Sequence, residues 1–185
     1  MTSPVHRQDG TDSPPIVVRE TACKTILNRT SLGDYSLNCY TGCEHACVYC
    51  YARFMQRFHP HAEAWGGFVD VKVNAVEVLR RQLRRAQPGE VFVSSACDGW
   101  QPIEREWRLT RRCCELLLEY GFEVHLLTKS GLVLRDLDLF AGRKVQVGVT
   151  VTSLDASEAT VGPTVLTFSP ADIPSCSASS GLISA

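Results

Sequence analysis

The stretch Val145-Gln146-Val147-Gly148-Val149-Thr150-Val151-Thr152 alternates without a break, with valine at every odd position and a polar residue or glycine at every even one. Such a period-two pattern predicts a strand with its valines on one face and Gln146, Gly148, Thr150 and Thr152 on the other. Toward the N-terminus, residues 132–141 read as a short helix, with Ser130 near its start and Gly142 at its end. Residues 123–128 read as another strand. Before them Pro102 opens and Gly121 closes a helix in which Ile103, Trp107, Cys114, Leu117 and Leu118 fall at helical spacing. Residues 90–95 read as a buried strand, entered through the turn Pro88-Gly89. Residues 73–86 read as a helix with Val76, Leu79 and Leu83 on one face and Asn74 as its cap. Residues 51–58 have helical character, and residues 35–38 a short strand.

Strands alternating with helices predict an α/β fold of parallel βα units, about four of them. Right-handed crossovers place the helices on one face of a curved sheet. The valine faces should meet those helices, and the opposite faces should line an interior. No internal repeat is present. Residues 1–18 read as a disordered or loosely attached segment, 19–155 as the βα domain, and 156–185 as a tail rich in Ser, Ala and Pro. Lys144 is the last basic residue, and 164–168 offers the tail one weak strand.

With 185 residues the chain has enough length for one domain with a real core. A net charge of −1 excludes a global field that draws it to nucleic acid or membrane. The N-terminus lacks the apolar run of a signal peptide, and no stretch is long and apolar enough to span a bilayer. The expected location is therefore cytoplasmic, with reduced thiols. Nine cysteines there point to metal binding rather than disulfides.

Three of those cysteines share one loop, in the run Gly42-Cys43-Glu44-His45-Ala46-Cys47-Val48-Tyr49-Cys50-Tyr51-Ala52. The spacing is C-x3-C-x2-C with an aromatic residue before the last cysteine. Three thiolates so placed can hold three corners of a cubic iron–sulfur cluster and leave one iron open.

Cys43, Cys47 and Cys50, with Tyr49 as the aromatic, match the radical S-adenosylmethionine signature, and the chain resembles that superfamily. A wider set of runs is similar to its spore photoproduct lyase-like branch: Lys24-Thr25-Ile26-Leu27-Asn28, Gly42-Cys43-Glu44-His45, Cys50-Tyr51-Ala52-Arg53, Gln101-Pro102-Ile103-Glu104, Leu109-Thr110-Arg111-Arg112, Leu127-Thr128-Lys129-Ser130 and Leu134-Arg135-Asp136-Leu137-Asp138. The resemblance covers about residues 23–155. It implies a partial parallel (βα) barrel of the radical SAM type. It also implies a 4Fe–4S cluster on the three cysteines, with S-adenosylmethionine chelating the open iron. Reductive cleavage would then give a 5′-deoxyadenosyl radical that abstracts hydrogen from a substrate the sequence does not name. An electron donor such as a flavodoxin or ferredoxin is implied as partner.

Ligands of parallel sheets gather at the C-terminal strand ends. Parity sends Ser94, Asp98, Lys129, Thr150 and Thr152 inward there, and the resemblance puts cofactor contacts at the same ends. Asp98 would take the amino group of S-adenosylmethionine, Lys129 its carboxylate, Thr150 and Thr152 its ribose, and Tyr49 would lie near the adenine. Each has a plainer role available: Asp98 before Gly99 suits a turn, Lys129 a solvated helix approach, the threonines a strand, and Tyr49 the core. Cys97 is a candidate hydrogen-atom donor, although parity points it outward and small thiols are commonly buried. His45 and His125 read as structural. The arginine-rich faces at Arg80, Arg81, Arg84 and Arg85 and at Arg108, Arg111 and Arg112 read as solvated, with contact to nucleic-acid phosphate as the second reading.

Two other functions compete. Cys39, four residues before Cys43, stands where the family carries proline, and a fourth thiol could close a zinc or iron–sulfur binding module without catalysis. Alternatively, four strands in place of the usual six describe a truncated, inactive fragment that still binds a cluster.

Overall fold

The computed structural model describes residues 2–5, 16–151 and 164–168. It is a mixed α/β structure with parallel sheet segments. In chain order the strands are β1 (Thr2–Val5), β2 (Ile16–Thr21), β3 (Leu27–Arg29), β4 (Tyr35–Leu37) and β5 (Tyr40–Thr41), then β6 (Phe68–Lys72) and β7 (Glu90–Val93), then β8 (Glu123–Thr128), β9 (Val145–Val151) and β10 (Thr164–Phe168). The helices are α1 (Ala75–Leu83), α2 (Glu104–Trp107), α3 (Leu109–Glu119) and α4 (Leu137–Phe140), with 3-10 turns over Tyr51–Arg57 and Gly131–Asp136.

The larger sheet runs β10-β9-β8-β7-β4-β3. Its middle four strands are parallel, with Leu37 opposite Val93, Val93 opposite Leu126, and Leu126 opposite Val147. These are the four strands the alternation predicts. The two outer strands pair antiparallel, β3 on β4 and β10 on β9. The sheet is open, with edges at β3 and β10.

Valine and leucine alternation explains the core. Val91, Val93, Val124, Leu126, Val145 and Val147 are buried beside Val76, Leu79 and Leu83 of α1 and Leu116 and Leu117 of α3. Each fully buried side chain of this kind contributes roughly 1.5–3 kcal/mol. Helices α1 and α3 also pack on each other. The opposite face carries Ser36, Phe92, His125 and Gln146 in one cross-strand row, and these are half-buried or exposed.

Several expectations shift. The 73–86 helix is shorter, and Asn74 does not cap it. Instead Asn74 Oδ1 accepts from Cys23 N at 2.9 Å and Nδ2 donates to Cys23 O at 3.0 Å, tying the end of β2 to α1. The Pro102–Gly121 helix is broken at Arg108, whose φ of 49° separates α2 from α3. Ser130 does cap the next turn, accepting from Leu132 N at 3.2 Å.

A second sheet, β1-β2-β6-β5, was not predicted. Strand β2 starts at Ile16, so the 18/19 boundary falls inside it, and Ile16 and Val18 belong to the core. Strand β6 pairs parallel with β2 and antiparallel with β5. The segment from Tyr35 to Thr41 therefore serves both sheets: β4 pairs with β7, and two residues later β5 pairs with β6. Among the described residues no helix is long and apolar enough to cross a membrane.

Candidate functional site

The cysteine loop leaves β5 through Gly42, whose φ of +88° is easy only for glycine. A Cβ there would stand 2.4 Å from Phe68 O. The loop thus lies directly on β6. Cys43 is buried, while Cys47 and Cys50 are half-buried. Two tight turns follow, with Ala46 N bonding Cys43 O at 3.3 Å and Cys50 N bonding Cys47 O at 3.1 Å. Ala46 adopts a left-handed φ of 51°, and Gly66 packs on it so closely that a Cβ at Gly66 would come within 2.4 Å of the Ala46 methyl. Beside this packing His61 stacks on Phe68 at 3.6 Å and meets Asp70 at 2.9 Å.

The run Gln101-Pro102-Ile103-Glu104 grips the loop from the other side. Gln101 is fully buried. Its Oε1 accepts from Glu44 N at 2.9 Å and its Nε2 donates to Gly42 O at 3.4 Å. Glu44 returns the contact, its carboxylate accepting from Ile103 N at 2.6 Å. Glu104, also fully buried, accepts from the Tyr40 hydroxyl, from Thr110 N at 3.1 Å and from Arg111 N at 3.0 Å. One carboxylate thus caps α3 and anchors β5. Arg135 and Arg111 extend the network to Asp136 at 2.7 and 2.9 Å, and Trp100 Nε1 donates to Asp136 at 2.9 Å. The motif residues outside the cysteine loop are therefore largely a frame around it.

Strand ends bring other groups to the loop. Lys129, just after β8, donates from Nζ to the Tyr49 hydroxyl at 2.7 Å and lies 5.0 Å from the Tyr49 ring centroid. Burial disfavours its charge, but the Cys47 thiol and Tyr49 hydroxyl outweigh burial and hold the ammonium above its usual range. Tyr49 is exposed on the loop rather than in the core. The Tyr51 hydroxyl reaches Ser95 O, and Arg53 donates to Cys47 O at 3.2 Å.

Asp98 is already engaged. It accepts from the Thr128 hydroxyl at 2.7 Å, Lys129 N at 2.9 Å and Trp100 N at 2.9 Å. His45 Nε2 lies 3.3 Å away, within ion-pair distance but out of hydrogen-bond alignment. Burial pushes the Asp98 carboxyl up, yet the adjacent His45 ring first, then Lys129 N and the Thr128 hydroxyl, prevail and hold it below the usual carboxylate range. Its two oxygens knit the turn after β7 to the end of β8.

Ser94 departs from parity. Its φ of 76° turns the hydroxyl under Gly99, whose N–H it accepts at 2.9 Å, so Ser94 does not point to the strand mouth. Cys97 takes its plainer role: it is buried, with Sγ 3.8 Å from Asn38 Oδ1, and burial pushes its thiol up to about 12. Thr150 is half-buried near the end of β9. Thr152 lies outside the described residues.

Cys39 does not join the loop cysteines. Its Sγ sits 3.7 Å from Cys113 Sγ of α3, and both residues are fully buried. The Cys113 thiol, then burial, hold the Cys39 thiol well above its usual range. The fourth thiol is thus part of the core.

Among the described residues no three His, Cys, Asp or Glu side chains close on one point as a single metal ion requires. A four-iron cluster asks for something else, because each thiolate binds its own iron around a cube. The donor set fits that demand: three thiols on one loop, with backbone N–H groups of Asp98 and His45 facing the Cys43 sulfur. Burial nonetheless keeps the free Cys43 thiol well above its usual range. Metal coordination would have to displace that proton.

No family model matches the chain, and no solved structure matches it. Three relatives from different sources illustrate what does match. "Uncharacterized protein MJ0683" of Methanocaldococcus jannaschii is 36% identical over 137 residues, 72% of this chain and 51% of that protein. "Uncharacterized protein Rv2578c" of Mycobacterium tuberculosis is 34% identical over 146 residues, 74% of this chain and 43% of that protein. "Uncharacterized protein ORF301" of Acidianus two-tailed virus is 28% identical over 137 residues, 69% of this chain and 45% of that protein. The chain spans about half the length of these relatives.

Proposed function

We propose that the chain is a radical S-adenosylmethionine domain built as a partial (βα) barrel, in which Cys43, Cys47 and Cys50 hold a 4Fe–4S cluster. The observation that carries this reading is the C-x3-C-x2-C loop after β5, met by Lys129 from the C-terminal end of the parallel strand β8. When bound and reduced, such a cluster supplies an electron that cleaves S-adenosylmethionine to methionine and a hydrogen-abstracting 5′-deoxyadenosyl radical.

The chain's own residues bind and orient. Lys129 offers a positive charge beside Cys47 and Tyr49, suited to the methionyl carboxylate of S-adenosylmethionine. Tyr49 offers a ring on the open side of the loop. Thr150 offers a hydroxyl near the end of β9. Asp98, with both oxygens accepting, serves by aligning Lys129 and Trp100 rather than by binding the cofactor itself. Gln101 and Glu44 fix the path of the loop. Electrons would come from a separate carrier such as a flavodoxin or ferredoxin, consistent with a cytoplasmic location.

Anaerobic reconstitution with iron and sulfide tests the reading. The expected product is a brown protein with about four irons per chain that, once reduced, converts S-adenosylmethionine to 5′-deoxyadenosine. Failure to bind iron overturns the cluster. Iron binding without cleavage overturns the enzyme.

A further inference from the structure

At the end of the larger sheet opposite the cysteine loop lies a cleft of about 670 Å³ between β3 and the C-terminus of α1. Arg29, Arg81, Arg84 and Arg85 line it, with the Tyr35 ring and Gln82. All four arginines are exposed. Among the described residues the arginines in ion pairs are Arg19, Arg111 and Arg135, so none of these four meets a carboxylate. The nearby acids are engaged elsewhere: Asp34 accepts from Glu90 N at 3.0 Å, and Glu90 lies 3.2 Å from His125.

Basic residues at a helix C-terminus stabilise the helix without any ligand. That accounts for Arg81 in the last turn and Arg84 at the cap. It does not account for Arg29, which comes from a different element. Gln82 brings the two elements together: its Oε1 accepts from Ile26 N at 2.8 Å and Leu27 N at 3.0 Å, and its Nε2 donates to Leu27 O at 2.9 Å. This three-bond clamp fixes β3 on α1 and so sets Arg29 across from the helix end. The Arg29 guanidinium is further held 4.4 Å above the Tyr35 ring.

We infer that this cleft binds a phosphate-bearing anion. Four guanidiniums around one concavity, uncompensated in a chain of net charge −1, present the forked donors that phosphate oxygens accept best. The ligand is either a free polyphosphate ester or the backbone of a nucleic acid. The inference is independent of the cysteine loop.

Calorimetric titration of the full chain with inorganic triphosphate tests it. Saturable binding is expected, weakening as salt rises. Affinity should fall about tenfold or more in R29Q/R84Q, and likewise in R84Q/R85Q, which keeps the Arg29–Tyr35 contact. R112Q, an exposed arginine of α3, should bind as the parent does. A labelled single-stranded oligonucleotide displaced by triphosphate would identify nucleic acid as the source of the phosphate, and one that fails to bind would identify a free ester. No saturable triphosphate binding, or equal affinity in the parent and both double variants, overturns the inference.

Discussion

Lys129 Nζ donates to the Tyr49 hydroxyl at 2.7 Å, joining the end of β8 to the cysteine loop across 80 residues of sequence. The pair is also a cation–π contact, with the ammonium 5.0 Å from the ring centroid. It holds the loop's aromatic side chain and a positive charge at one place beside Cys47.

Lys129→Met should therefore separate cofactor binding from cluster binding. Iron content should stay at the parent level, because no cysteine is touched. Affinity for S-adenosylmethionine should fall about tenfold, the scale of one charge-assisted hydrogen bond. Equilibrium binding to the reconstituted protein reads the change, and unaltered affinity would remove Lys129 from the cofactor site.

The four neighbouring cysteines should sort into two classes. Alanine at Cys43, Cys47 or Cys50 should abolish stable iron binding. Cys39→Ala should keep full iron content and cost about 1–2 kcal/mol of stability instead, since its thiol packs on Cys113. Iron analysis and thermal melting of the four variants decide it. Loss of iron in Cys39→Ala would restore the four-thiol site.

Gln101→Leu removes a buried amide whose two ends hold Glu44 N and Gly42 O. Losing those two bonds should cost about 1–3 kcal/mol each. A chemical denaturation curve should show the loss, and cluster occupancy should drop with it. Gly42→Ala attacks the same bend through its backbone, because the new methyl would meet Phe68 O at 2.4 Å with φ at +88°. Normal stability in both variants would show that the loop does not depend on this grip.

Acid sensitivity should trace to Asp136. Burial acts to raise its carboxyl, but hydrogen bonds from Arg135, Arg111 and Trp100 outweigh burial and hold it below the usual range. A carboxyl depressed in the folded state adds stability above its unfolded value of about 3.9 and loses it as pH falls through the lower folded value. Asp136→Asn should cost about 1–3 kcal/mol at neutral pH by removing the buried carboxylate that Arg111, Arg135 and Trp100 share, with Arg111 keeping Asp138 and Arg135 keeping Glu104. Its stability should then change less than the parent's as pH falls below about 4. Parallel acid limbs in urea titrations would contradict this.

Much of the larger sheet is legible in the sequence because its cause is local. Val145, Val147 and Val149 alternate, and the strand forms where they do. The cysteine spacing is likewise a local signal. Strand β6 is not legible: Phe68, Val69, Asp70 and Val71 are all buried, so no alternation betrays them. Ser94 misleads because its left-handed backbone turns the hydroxyl under Gly99 instead of letting it follow the strand's alternation. Asp98 could be assigned to a turn or a cofactor, and only its three donors from two separate segments favour the turn. Cys39 and Cys113 are 74 residues apart, and nothing in either neighbourhood announces that they touch.

The Gln101 grip has a consequence for biosynthesis. Gln101 follows Gly42 by 59 residues, so at about 5–20 residues per second the ribosome adds it roughly 3 to 12 s later. During that interval Cys43, Cys47 and Cys50 are translated but lack the Gln101 side of their scaffold. They are loose thiols, open to oxidation or to the wrong metal. Cluster insertion would then have to come after translation of the second half of the sheet, and overproduction without matching iron supply should yield chains already spoiled at the loop.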